Sequence, residues 1–119
     1  MASGSDEVLF RNGYSATINL AYMRRDEACR PAEEGGIPFV IRGWRVIAPG
    51  GSTTIANPTE NRWFYIFAEA VDGRLWTGPF VFRVSLSAFN RCAGLGASQG
   101  EDVGFLELDT AEHDSFNLV

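Results

Sequence analysis

The feature that most constrains this chain is its punctuation: short apolar runs separated by turn-forming residues. Asn12-Gly13, Pro49-Gly50-Gly51, Asn57-Pro58, Asp72-Gly73 and Gly78-Pro79 fall between segments rich in Val, Ile, Phe, Tyr and Trp. Glycine supplies left-handed backbone, proline presets φ, and Asn and Asp tolerate the left-handed region, so each pair stops a strand and turns the chain. Between these stops the apolar period is two. In residues 17–23, Ile18, Leu20 and Tyr22 share one face while Thr17, Asn19 and Ala21 take the other, the alternation of a half-buried antiparallel strand. Residues 63–71 are apolar on both faces until Glu69, which predicts a central strand covered on both sides. Gly43 before Trp44 marks a bulge in a strand over 39–47. Asn12-Gly13 and Asp72-Gly73 carry the hairpin signature, the latter as a type I′ turn.

Further strands are predicted over residues 8–11, 52–56, 74–77, 80–84 and 103–108, with 85–89 either prolonging the preceding strand or turning. About seven or eight short strands predict an all-β fold, an antiparallel β-sandwich or small barrel. The 119 residues make one domain, able to bury roughly two-thirds of the surface of its unfolded chain. Residues 1–7, small and polar, read as a flexible N-terminus, and residues 8–119 as a single β domain. Residues 24–38 break the pattern with seven charged side chains, two prolines and Gly35-Gly36. They predict an exposed charged loop, a length of connection that is often functional.

Charge is distributed unevenly. The net charge is −5, yet residues 1–91 hold ten Arg against nine acids, and residues 92–119 hold six acids and no base. An acidic chain is repelled by phosphate backbones, so nucleic acid is not an expected partner. Every basic residue is Arg, which removes Schiff-base and P-loop lysine chemistry. No apolar run has the length of a membrane span, and the opening MASGSDE lacks the regions of a secretory signal. The expectation is a soluble chain, cytoplasmic or exported without a visible signal peptide. Cys29 and Cys92 leave two states open, one disulfide or two buried thiols.

Little in the sequence points to catalysis. His113 is the only histidine and lies among acids, as a solvated surface residue does. Without a second histidine there is no ordinary zinc site. Glu69 and Asp72 flank the end of the central strand, but the turn itself accounts for Asp72. No catalytic residue, metal ligand or cofactor is therefore assigned.

Two kinds of binding surface stand out. Trp63 and Tyr65 read as core, whereas Trp44 and Trp76, each beside a polar or charged residue, read as rim aromatics. With Arg42, Arg45, Glu69 and Arg74 they would form a small-ligand or carbohydrate site. The termini offer a self-assembly surface. Phe116, Leu118 and Val119 would either dock on their own domain or pair with another copy, the acidic end of one chain then meeting Arg24 and Arg25 of the next. A further alternative is calcium held by Glu101, Asp102, Glu107, Asp109 and Asp114 of the acidic segment 101–119.

A set of residues over roughly 8–92 resembles a bacterial family of domains of unknown function, the DUF1036 group. It is carried by Arg11-Asn12, Ala21-Tyr22, Gly43-Trp44, Pro49-Gly50, Tyr65, Ala68-Glu69, Gly73, Trp76, Gly78, Phe80 and Phe82. The resemblance implies a compact bacterial β domain, often exported in relatives, and supplies no activity or catalytic residues. Relatives often carry Cys directly after the last Phe of that run; Arg83 stands here, so a family disulfide at that point is absent. The expectation from residues and resemblance together is a non-enzymatic binding or self-assembly module.

Overall fold

The computed structural model describes residues 4–29, 38–93 and 100–119. Among these, ten strands form two sheets, with one 3-10 turn at Glu27–Cys29. In the smaller sheet β1 (Glu7–Asn12) lies between β4 (Ser52–Ala56), antiparallel to it, and β10 (Ser115–Leu118), parallel to it. The larger sheet runs β7 (Phe80–Val84), β9 (Glu101–Asp109), β5 (Trp63–Ala70), β2 (Ile18–Arg25), β3 (Phe39–Ile47), β8 (Phe89–Cys92). The short β6 (Leu75–Trp76) pairs with the far end of β5. Every pairing in this sheet is antiparallel, and the sheet curls into a half-barrel. The architecture is the expected small β-sandwich or barrel, with two more strands than the turn signals marked.

Both faces of the large sheet are buried, by different means. Ile18, Leu20 and Tyr22 of β2 and Phe64, Ile66, Ala68 and Ala70 of β5 face the smaller sheet, meeting Val8, Phe10, Ile55 and Leu118. Tyr22 stacks on Phe64 at 5.8 Å between ring centroids. Each fully buried side chain of this kind contributes about 1.5–3 kcal/mol relative to exposure. The alternate residues face the concave side, where Ala21, Met23, Ile41, Phe67, Val84 and Phe105 form a second core. Here the sheet covers itself by curling, so β5 is buried on both sides through its middle, as its sequence predicts.

Turn chemistry fixes the connections. Pro49 and Gly50 occupy the centre of a turn closed by Gly51 N–H donating to Ala48 O at 2.8 Å, with Gly50 at φ 79°. That is the proline-then-glycine order of a type II turn. The β5–β6 hairpin differs from the type I′ expectation. Gly73 has φ 98° while Asp72 does not enter the left-handed region. Gly73 N–H reaches Ala70 O, and Ala70 N–H reaches Arg74 O. This is a three-residue loop whose glycine takes the left-handed position. Asn12-Gly13 makes no hairpin either, because β1 and β2 lie in different sheets. Asn12 is buried instead, its amide donating to Ala16 O at 2.8 Å and Ile47 O at 2.9 Å while its Oδ1 accepts from Tyr14 N–H. A buried amide with its bonds made is a structural joint.

The segment 24–38 is a loop only in part. Arg24 and Arg25 close β2, paired with Val40 and Phe39, and Asp26 N–H donates to Pro38 O. Backbone pairing carries the strand past the charged side chains. Residues 30–37 and 94–99 lie outside the described residues. Residues 4–7 are anchored: Gly4 N–H donates to Glu60 O at 2.7 Å and Ser5 Oγ to Thr110 O at 3.1 Å. Cys29 and Cys92 form a disulfide across 63 residues, tying the 3-10 turn to β8. No described helix is long and apolar enough to cross a membrane.

Candidate ligand-binding site

Directly opposite residues of paired antiparallel strands point to the same face of a sheet. Val46 of β3 is opposite Asn19 of β2, Asn19 is opposite Glu69 of β5, and Glu69 is opposite Leu75 of β6. These four residues therefore make one row across four strands, at an open end of the concave face. The rows further in are core, with Ala21 opposite Phe67. The terminal row is left uncovered: Val46 is 69% and Leu75 49% exposed. A pocket of about 260 Å³ opens here, lined by Asn19, Trp44, Glu69, Leu86 and Glu101. Leu86, on the β7–β8 connection, is 84% exposed, an apolar side chain held in water at the rim.

Trp44 reaches this mouth because of the bulge expected at Gly43. The β2–β3 register shifts between Leu20 and Tyr22, so that Gly43 and Trp44 together face the single residue Ala21. A Cβ on Gly43 would lie 2.5 Å from the Phe89 ring, so only glycine lets β8 close against the bulge. The Trp44 ring packs edge-on against Phe67 and Phe89, and its indole N–H donates to Ser85 O at 2.9 Å. Trp44 is thus half core and half pocket wall.

The structure divides the sequence-assigned ligand set. Trp44 and Glu69 share the mouth pocket. Arg42 and Arg45 line a separate pocket of about 240 Å³ with Tyr22, Gly43, Trp44 and Phe89. There Arg42 donates to Asn90 Oδ1 at 3.2 Å. Trp76 and Arg74 belong to a third place, a corner where the Arg74 guanidinium lies over the Tyr14 and Trp76 rings and donates to Val119 O at 2.8 Å. Tyr14 donates to Asp72 at 2.6 Å, which lowers the Asp72 carboxyl below its ordinary value. Asp72 is engaged there instead of forming a pair with Glu69. Asn19 and Leu86 were missed by sequence reasoning, and Glu101 was offered only as a calcium ligand. Asn19 alone carried a signal, as a polar residue on the less apolar face of β2.

Trp63 is a correction to the aromatic reading. It is exposed at the start of β5, with the Arg62 guanidinium 4.7 Å over its ring. Tyr65 is half-buried, and burial together with its hydrogen bond to Glu107 at 2.8 Å pushes its hydroxyl up to about 12.

The residues offered for self-assembly are engaged within the chain. Phe116 stacks on Phe10 at 5.8 Å and Leu118 is 4% exposed beneath β1. Arg24 is 8% exposed, Arg25 bonds Glu27, and Val119 remains exposed. The charge split is likewise answered internally. Arg62 grips Asp109 through two bonds of 2.9 and 2.7 Å, and Arg83 bonds Asp102 at 2.9 Å. Both guanidinium partners hold their carboxyls below the usual range. With Glu107 taken by Tyr65, the acids proposed for calcium are separately committed or spread along β9, and no described group of three or more could hold a metal ion. His113 stands exposed beside Phe116.

The chain matches no family model, no curated protein and no solved structure.

Proposed function

We propose that this domain is a non-catalytic binding module that takes a small organic ligand at the mouth of its half-barrel. One observation carries the reading: Trp44 and Glu69, on different strands, meet Asn19, Glu101 and the exposed Leu86 around one pocket. Barrel mouths with apolar walls and a few convergent polar groups are common ligand sites. Binding is favoured over catalysis because the two cysteines are consumed in a disulfide and His113 lies away from the pocket lining. Membership of the DUF1036 group is part of the same proposal, since Gly43-Trp44 and Ala68-Glu69 of that resemblance supply the bulge, a wall and a carboxylate of the pocket. The disulfide further supports maturation in an oxidising compartment.

The test is a fragment screen read by amide and indole resonances. Hits should shift Asn19, Trp44, Glu69, Leu86 and Glu101 together, and Leu86→Ser should weaken them without unfolding the domain. Hits that perturb only the Arg42 or Arg74 surroundings, or no hits at all, would overturn the reading. Self-assembly keeps one supporting observation, the edge strand β7 with Val81 63% exposed. Solution mass across a concentration series tests it; a monomer throughout ends it.

A further inference from the structure

The ligand class can be read from the hydrogen-bonding capacity of the mouth, taking the site proposed above as its basis. Among the described residues of the pocket lining, Glu69 and Glu101 are the only charged ones. Among the described residues, neither forms an ion pair or a side-chain hydrogen bond. Glu27, Asp102 and Asp109 hold arginines, and Asp72 and Glu107 hold tyrosine hydroxyls. Asp6, Glu7, Glu60, Glu112 and Asp114 are as free of such bonds as Glu69 and Glu101, which differ from them in sharing one pocket with Trp44 and Leu86. Two uncommitted carboxylates thus face one small cavity.

Ionised carboxylates only accept hydrogen bonds, and an asparagine amide both accepts and donates. The Trp44 indole N–H, the other donor in the lining side chains, is already given to Ser85 O. Among the described lining side chains, the mouth therefore offers up to five acceptor oxygens from Glu69, Glu101 and Asn19 against a single free donor group, the Asn19 amide nitrogen. A sugar presents hydroxyls and ring oxygens that accept as well as donate, and most of its acceptors would find no partner. An ammonium carries three donors and no acceptor. It would also neutralise two like charges that otherwise repel across the pocket, and the Trp44 ring adds attraction for a cation. The exposed Leu86 and the Trp44 ring in the lining call for a hydrocarbon body behind that head.

We infer that the mouth binds a protonated amine on an apolar body, its ammonium between Glu69 and Glu101 and its hydrocarbon against Leu86 and the Trp44 wall. The net charge of −5 assists the approach of such a cation.

The experiment compares three probes on the full chain by chemical-shift titration: n-hexylammonium, n-hexanol and methyl glucoside. Hexylammonium should shift the mouth resonances most strongly and weaken as salt is raised. Glu69→Gln and Glu101→Gln, conservative changes at exposed positions, should each lower its affinity by up to about five-fold, and together by more. Their amide spectra report whether the fold persists. Equal binding of hexanol and hexylammonium, or hexylammonium affinity unchanged in the double variant, overturns the amine assignment while leaving the site standing. Glucoside binding without hexylammonium binding does the same. If no probe moves the mouth resonances, the site itself fails along with the inference.

Discussion

Reducing the Cys29–Cys92 bond should remove a large part of this domain's stability without changing its fold. The bond spans 63 residues of sequence. In the chain-entropy description, a cross-link closing a loop of that length removes about 14 cal/mol/K from the unfolded chain, or about 4 kcal/mol at 25 °C. Typical domains have a total stability of about 5–15 kcal/mol, so the loss is a large share of the whole. Unfolding entropy of about 2.1 cal/mol/K per residue converts it to a fall in Tm of about 17 °C. The reduced wild type is the cleanest comparison, since both side chains remain; Cys29→Ala with Cys92→Ala is the second. Urea unfolding followed by tryptophan fluorescence measures both ΔG and its slope. The slope should rise on reduction, because an unlinked unfolded chain exposes more surface. Oxidised and reduced transitions that coincide within about 1 kcal/mol would refute the reasoning. In that case the bond closes no loop that the unfolded chain would otherwise open.

Three further outcomes follow from the described contacts. Leu118→Ala should cost about 2–4 kcal/mol, read by denaturant unfolding, because β10 docks on its own β1; a neutral result would mean that the tail leaves the domain in solution. Asp102 and Asp109 are lowered from 3.8 by Arg83 and Arg62, so their stabilising contribution is complete above about pH 4 and is lost as pH falls through the lowered values. Asp109→Asn should flatten that acid limb of the stability profile, and an unchanged limb would count against the pair. Tyr65 is raised from 10.0 to about 12, so the stability it contributes is intact below pH 10 and is lost as pH rises toward about 12. Phenolate absorbance of wild type against Tyr65→Phe should isolate that late titration.

Much of the strand plan was legible because it rests on local rules. Period-two alternation located β2, a two-faced apolar run located β5, and Gly43-Trp44 marked the bulge. What escaped was non-local. Residues 89–92 have no periodic signal of their own, and the alternation of Phe116 and Leu118 spans only four residues; both segments become strands through partners far away, Gly43–Val40 for β8 and Leu9–Asn12 for β10. Asn12-Gly13 carries a hairpin signature, but whether the chain returns to the same sheet is decided by Val8 and Phe10, which bury against the other one. The site followed the same division. Trp44 and Glu69 were visible as unusual residues in apolar strands. Asn19, Leu86 and Glu101 join them only by register and curl, and nothing local separates Trp44 at the mouth from Trp76 at the Arg74 corner.

Glu69 is the place where sequence and site meet. It is the one charged side chain in β5, on the face where Tyr65 and Phe67 are packed. A local rule broken inside an otherwise consistent strand points to function rather than folding. Its exposure at the terminal row means that the fold does not need it, and a β-branched residue would suit the strand better. Glu69→Val should therefore leave Tm unchanged or raise it, by no more than about 1 kcal/mol in stability, while hexylammonium affinity falls by up to about five-fold. A variant that binds normally would remove Glu69 from the site. One destabilised by more than about 1 kcal/mol would make the carboxylate a structural element, and the exchange of stability for binding assigned to this position would be wrong.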